Sequence, residues 1–254
     1  MIDIHCHIIP KVDDGPSSVT ESLKMAKLAV EEGIHTIVAT PHHLDGQYIN
    51  NRDVIVPAVQ SLNEALQAEQ IPLKVLPGQE PRVNGDMLAR LEKGELIPLN
   101  GTKYVFVEFP HGHVPRYANQ LLFDVQVAGY KPIIVHPERN SALVQSPDLL
   151  YSFVKNGALT QVTAASVCGK FGKKIQKFTL DVIDNNLTHF VASDAHNTKS
   201  RLFHMREAYD VIEKRFGNQM VYEFTENAEL LIEGNVIVGD QPHRLKKKKF
   251  LGLI

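Results

Sequence analysis

The sequence predicts an α/β fold carried by parallel strands, and three features predict it. Short apolar runs alternate with stretches of helical spacing along nearly the whole chain. The connections between them are a few residues long, which suits right-handed strand–helix–strand units. The strand-like runs also end, one after another, in His, Asp or Glu, where such sheets bind ligands. Seven strands without an obvious interruption favour a closed, barrel-like form over two domains. A doubly wound open sheet is the alternative.

The first strand carries Ile2-Asp3-Ile4-His5-Cys6-His7. Alternation puts His5 and His7 on one face, about 7 Å apart, and Cys6 on the other. Pro10 to Gly15 reads as a turn, with Asp14 close enough to the histidines to join them. Ser17 or Ser18 caps the next helix, with Glu21 near its third position, and Gly33 ends it. A second strand, 35–40, leads into Pro41-His42-His43. After a helix over 52–69, the third strand, 73–80, ends in Glu80. A shorter helix, 84–93, precedes the fourth strand, 103–110, whose apolar run contains Glu108. A buried carboxylate needs a partner or a metal.

A helix over 115–128 is followed by the fifth strand, Pro132-Ile133-Ile134-Val135, which runs into His136-Pro137-Glu138-Arg139-Asn140. A helix over 147–156 leads to the sixth strand, 159–164, and a helix over 173–185 to the seventh, 189–192. That strand ends in Ser193-Asp194-Ala195-His196-Asn197. Helices over 200–216 and 225–233 follow. The expected organisation is one domain over 1–243 and a basic, then apolar, tail over 244–254.

Composition narrows the function. The 254 residues are 43% hydrophobic, enough for one large core. Lys plus Arg number 27 against 29 Asp plus Glu, so there is no global basic field for nucleic acid. No apolar run approaches the roughly 20 residues of a membrane span, and no signal peptide fits ahead of a strand that starts at Met1. The 2 cysteines, Cys6 and Cys168, form no CxxC motif, which suits a reducing cytoplasm.

The strand-end residues His5, His7, His42, Glu80, Glu108, His136, Asp194 and His196, with Asp14, offer imidazole and carboxylate ligands without thiolate. That set suits manganese, iron or zinc in a catalytic rather than a structural site. There are too many donors for one ion, and two or three ions sharing carboxylates would absorb them. Three divalent ions would outweigh the four acids and favour a phosphate dianion. A hydroxide between such ions attacks phosphorus at neutral pH. Arg139 and Arg201 follow two of these loops, and arginine forks phosphate oxygens.

The ordered set His5-Cys6-His7, Thr40-Pro41-His42-His43, Pro77-Gly78-Gln79-Glu80, Val107-Glu108-Phe109, His136-Pro137-Glu138-Arg139-Asn140 and Ser193-Asp194-Ala195-His196-Asn197 resembles the PHP (polymerase and histidinol phosphatase) superfamily. Within it the chain is similar, over essentially its whole length, to the metal-dependent protein-tyrosine phosphatases of Firmicute capsule and exopolysaccharide loci. The resemblance implies a distorted (β/α)7 TIM-like barrel and a trinuclear, manganese-favouring centre. It implies hydrolysis of phosphotyrosine on an autophosphorylated bacterial tyrosine kinase that controls polysaccharide export. Carried onto this sequence, the metal ligands are His5, His7, His42, Glu80, Glu108, His136, Asp194 and His196. Asp14 becomes a further ligand or a water-orienting base. Arg139 and Arg201 become the phosphate clamp, and Arg139 assists the leaving group.

A thiol mechanism does not fit. Cysteine-based tyrosine phosphatases use Cys-x5-Arg, but the sixth residue after Cys6 is Val12 and after Cys168 is Lys174. The alternative activities are a phosphoesterase acting on a small phosphate such as histidinol phosphate, and a metal-holding docking module. The tail, with Arg244, Lys246 to Lys249 and the apolar end Phe250 to Ile254, suggests weak contact with an anionic membrane at the inner face. Its bland alternative is a solvated tail.

Overall fold

A computed structural model describes residues 1–245 of the chain. Among them nine strands occur: β1 Ile2–Cys6, β2 Thr36–Ala39, β3 His42–His43, β4 Lys74–Pro77, β5 Glu80–Pro81, β6 Tyr104–Val107, β7 Lys131–Val135, β8 Leu159–Thr163 and β9 Phe190–Ala192. Helices α1 Val19–Glu31, α2 Arg52–Ala68, α3 Met87–Glu92, α4 Ala118–Val127 and α5 Ser141–Gln145 connect or follow them. So do α6 Pro147–Lys155, α7 Ala164–Val167, α8 Lys173–Asp184, α9 Met205–Phe216 and α10 Asn218–Glu233.

Every strand pairing is parallel, in the orders β1-β2-β4, β3-β5 and β6-β7-β8-β9. The architecture is therefore α/β with parallel sheets, as the alternating pattern predicts. The two short strands β3 and β5 follow β2 and β4 after brief breaks, so they lengthen expected strands rather than add new units. At the second break a Cβ on Gly78 would lie 2.7 Å from Val38 Cγ1 and 2.9 Å from Leu99, so only glycine fits between them.

The alternating pattern yields two apolar clusters. Ile37, Val75, Val105, Val107, Ile134, Val162 and Val191 pack outward against the helices. Val38, Leu76, Tyr104, Phe106, Ile133, Val135, Leu159, Phe190 and Ala192 point the other way and meet Ala228 and Leu231 of α10. In β1 the alternation breaks. Ile2 and Ile4 join the inner cluster, Cys6 joins the outer one, and His5 packs on Phe106 of the inner cluster, ring centroids 4.9 Å apart. A register shift between Asp3 and Cys6 marks the irregularity; such bulges re-aim side chains beside active sites.

Helix α1 starts as the sequence suggests. Ser18 is the cap and accepts from the Glu21 amide, while Glu21 accepts from the amide and hydroxyl of Ser17. Removing such a cap costs about 1 kcal/mol. Two helix starts differ from expectation. Helix α9 begins at Met205 rather than near 200, because Asn197 Oδ1 accepts from the amides of Lys199, Ser200 and Arg201 and holds a loop there. Helix α10 begins at Asn218 rather than near 225, directly after Gly217 at φ +88°.

At the C-terminus, Arg244 donates to Asp148 and stacks over Tyr151, and Leu245 packs against the outer cluster. The expected tail otherwise lies outside the described residues. Among the described residues no helix is long and apolar enough to cross a membrane.

Candidate metal centre

The strand ends bring all the sequence-selected residues together. Glu80, in β5, sits at the centre and is fully buried. Its Oε1 lies 3.4 Å from His5 Nε2 and 2.8 Å from His136 Nε2. Its Oε2 lies 3.3 Å from His7 Nε2 and 2.8 Å from His42 Nδ1. Asp194 Oδ1 lies 3.5 Å from His5 Nε2 and 3.4 Å from His7 Nε2. Asp14 Oδ1, on a half-exposed side chain, lies 3.3 Å from His196 Nε2 and 3.5 Å from His42 Nε2. Glu108 Oε2 is 3.9 Å from His42 Nδ1.

Three overlapping groups could each hold a cation: His7, Asp14, His42 and His196; His5, His7 and Glu80; and His42, Glu80 and Glu108. Buried polar atoms without a hydrogen-bond partner concentrate there: Nε2 of His5, His7 and His196, Nδ1 of His42, Oε2 of Glu80 and Oδ1 of Asp194. Such atoms are costly to bury unsatisfied. A donor set of imidazole and carboxylate, orphaned and convergent, fits divalent ions.

The far side of several rings supports the same assignment. Gln161 Oε1 lies 2.8 Å from His5 Nδ1, and Asp13 Oδ2 lies 2.6 Å from His7 Nδ1. The Asp194 carbonyl lies 2.9 Å from His196 Nδ1. An acceptor at Nδ1 fixes the proton there and turns the Nε2 lone pair toward the site, as metal-bound histidines require. Asp13 also accepts from the His42 and Gly15 amides, so it fixes the loop as well as the ring.

Asp13, Gln161 and Arg82 were not singled out by the sequence. In the sequence Asp13 looks like part of a turn. Gln161 had a signal, since a long amide side chain in the middle of a strand must find a partner when that strand is buried. Arg82 donates to Glu108 Oε2 at 2.9 Å. His43, beside His42, turns away: its Nδ1 accepts from the Asn50 amide. Cys6 is fully buried, and burial followed by the nearby Asp3 carboxylate drives its thiol pKa up, as suits a packed residue.

His136 and Asp194 both adopt left-handed backbone, φ +34° and +53°, the first directly after β7 and the second two residues after β9. Each such residue costs of order 1–3 kcal/mol, and the hydrogen bonds around them hold the geometry. The Asp194 amide donates to the His5 carbonyl and the His136 amide to the Gln161 carbonyl, both at 2.8 Å. Beyond His136, buried Glu138 accepts at Oε1 from the Thr163 amide and hydroxyl and from the Ser166 hydroxyl, pinning the Pro137–Arg139 turn to β8 and α7.

Charge is unevenly shared. Burial works against protonation of His7, yet Asp13, Asp194 and Glu80 outweigh it and hold its pKa well above 6.5. Burial raises Glu108 to about 7, helped by the Glu80 carboxylate and opposed by Arg82. Burial lowers His136 and His196 to about 4, with Arg139 adding to the first and His7 to the second. Both arginines converge on Asp194 Oδ2: Arg139 through Nη1, Arg201 through Nη2 at 2.8 Å, and Arg201 Nη1 also reaches Asp14 at 3.4 Å.

Over its whole length the chain is similar to known proteins. The family described as capsular polysaccharide synthesis, CpsB/CapC, matches residues 1–233. Tyrosine-protein phosphatase YwqE of Bacillus subtilis (strain 168) is 50% identical over 252 residues, 99% of each chain. The putative tyrosine-protein phosphatase CapC of Staphylococcus aureus is 37% identical over the whole of both chains. A crystal structure from work on YwqE of Bacillus subtilis and CpsB of Streptococcus pneumoniae, described as unique metal-dependent tyrosine phosphatases, superposes with TM-score 0.95 at 50% identity. It covers 97% of this chain and 100% of that one. An organophosphorus hydrolase variant from Deinococcus radiodurans shares the fold alone, at TM-score 0.59 and 11% identity, covering 91% of this chain and 92% of that one.

Proposed function

The chain belongs to the CpsB/CapC family, and from that premise we propose that it is a metal-dependent protein-tyrosine phosphatase. Its substrate is phosphotyrosine on a bacterial tyrosine kinase that controls capsule or exopolysaccharide synthesis. The observation that carries the chemistry is the convergence of six orphaned buried donor atoms on one place.

His5, His7, Asp14, His42, Glu80, Glu108, His136, Asp194 and His196 hold two or three divalent ions. Imidazole and carboxylate without thiolate favour manganese, with iron or zinc as substitutes. Such ions supply Lewis acidity and a water nucleophile at neutral pH. The chain's own groups do the rest. Asp13, Gln161 and the Asp194 carbonyl keep the protons of His7, His5 and His196 on the far ring nitrogens. Arg139 and Arg201, gathered on Asp194, turn their remaining N–H groups to the phosphate oxygens. Arg139 also assists the leaving group. Tyrosine leaves as a phenolate of pKa about 10, so it demands less of a general acid than an alkoxide would.

The scaffold of this site is a distorted (β/α)7 barrel. Backbone hydrogen bonds that run between the three sheets support it: Glu108 N to Pro81 O, Val83 N to Glu108 O, and His7 N to Ala195 O. The enzyme acts in the cytoplasm at the inner face of the membrane, with the 244–254 tail as a weak anionic-surface contact.

Phosphate release from a phosphotyrosine peptide, with added manganese and after chelation, tests the reading, with histidinol phosphate run in parallel. Chelator-sensitive release from the peptide alone is expected. Release only from histidinol phosphate would keep the metal centre and replace the substrate. Metal binding without turnover of either would favour a docking module.

A further inference from the structure

We propose that Phe171 is a specificity-determining residue that stacks on the aromatic ring of the substrate; this rests on the tyrosine phosphatase reading above. The turn from Gly169 to Gly172 displays it. Both glycines have positive φ, +77° and +95°, the Gly172 amide donates to the Gly169 carbonyl at 3.0 Å, and the Lys170 amide donates to the Ala165 carbonyl at 2.9 Å. Lys170 is further tied to Glu207 at 2.9 Å. An aromatic residue is thus held on a constrained turn rather than on a free loop.

The ring's position gives it a role. Arg139 Cζ lies 5.3 Å from the Phe171 centroid, within cation–π range. Phe171 nevertheless remains 40% exposed, so part of the ring is uncovered. Arg139 is fixed on its other side by Asp194, among the metal-directed atoms. A phosphate held by Arg139 therefore brings its ester substituent to the rim where Phe171 stands. In phosphotyrosine that substituent is a phenyl ring one oxygen from phosphorus; in phosphoserine it is a methylene with no π-face to offer.

A second partly buried aromatic stands on the same site. Tyr48 lies nearly parallel to His42, centroids 6.3 Å apart at 11°. Two aromatic rings beside ligand and clamp residues form a rim matched to an aryl ester. Phe171 carries the prediction because its neighbour is the clamp itself.

The test is competitive inhibition of the metal-loaded full chain by phenylphosphonate and by methylphosphonate, neither of which is turned over. Phe171→Ala should weaken phenylphosphonate about two- to tenfold, the range of one aromatic pair, and leave methylphosphonate unchanged. Phe171→Tyr should restore the wild-type ratio. An equal loss for both inhibitors would mean that Phe171 only packs Arg139, and no loss for either would mean that it contacts no substrate; both overturn the proposal. Wild-type release of phosphate from the phosphotyrosine peptide is measured alongside. Its failure would remove the tyrosine reading, while the inhibitor ratio still decides whether Phe171 selects an aryl group.

Discussion

Tyr104 opens β6 and Glu108 lies just beyond its end, and both are almost fully buried. Around Tyr104 everything is paired. Its hydroxyl donates to the Asn235 carbonyl at 2.6 Å and accepts from the Ile237 amide, and its ring joins the inner apolar cluster. Around Glu108 the pairing leaves negative charge in excess, although Arg82 donates to its Oε2. A second carboxylate, Glu80, shares its surroundings, and burial with that neighbour raises its pKa to about 7. The same contrast runs across the sheets. The strand starts spend their interior on apolar contact, which contributes about 25 cal/mol per Å² buried. The strand ends hold polar atoms in want of a cation. One end supplies stability without the metal, and the other is incomplete until the metal arrives.

Mutations should separate the two ends. The largest effect expected is from Glu80→Gln, which alters the carboxylate shared by His5, His7, His42 and His136. Metal content measured by elemental analysis should fall, and turnover should drop by about a thousandfold or more. Chemical unfolding of the metal-free protein should show little loss. A metal-free Glu80→Gln protein several kcal/mol less stable than wild type would break the comparison.

Ile133→Ala should do the reverse. It removes a fully buried side chain from the inner cluster and should cost about 2–5 kcal/mol of unfolding free energy. Metal stoichiometry in the folded fraction should not change.

Asp13→Asn lies between these cases, because it weakens the support of His7 without removing a donor to the ions. Metal affinity should fall about 10- to 100-fold, read by competition with a fluorescent chelator. Unchanged affinity would mean that Asp13 serves the loop alone.

The smallest effect concerns pH. Burial disfavours a proton on His7, but Asp13, Asp194 and Glu80 outweigh burial and raise its pKa. A raised imidazole stabilises the metal-free fold fully below the unfolded value of about 6.5. That contribution is lost as pH rises through the folded value. Divalent ions need the neutral ring and must displace the proton. The rise in Tm produced by manganese should therefore shrink as pH is lowered. A Tm rise independent of pH would show that His7 holds no proton in the metal-free state.

What the sequence made legible, and what it hid, divides along physical lines. Histidines and acids at strand ends were visible because strand and helix periods place those ends, and a polar group after an apolar run stands out. The helix starts at Met205 and Asn218 were not visible. They depend on Asn197 gathering three amides and on the dihedral of Gly217, neither of which has a periodic signature. The bulge in β1 was hidden as well, since Ile4 and His5 would alternate in a regular strand. The left-handed turns at His136 and Asp194 carry only a weak local signal, because Asp and His are enriched in that region yet adopt it at few of their positions. Asp13 was masked by its neighbour. Two adjacent acids before a glycine look like turn chemistry, and only the folded chain shows one holding His7 while the other faces His42 and His196.

The pairing of the first strand with the end of the last has a consequence for biosynthesis. His5 and His7 lie 189 residues before Asp194 and His196 in the chain, and the two pairs meet where β1 joins the segment after β9, beside the Cys6–Ala195 bridge. At about 5–20 residues per second, the nascent chain carries these two histidines for about 10–40 s before Asp194 and His196 exist. During that interval they can bind stray ions only weakly and without the right geometry. Metal selection is therefore deferred until Asp194 and His196 have been translated, and the ion acquired depends on the pool that meets the folded site.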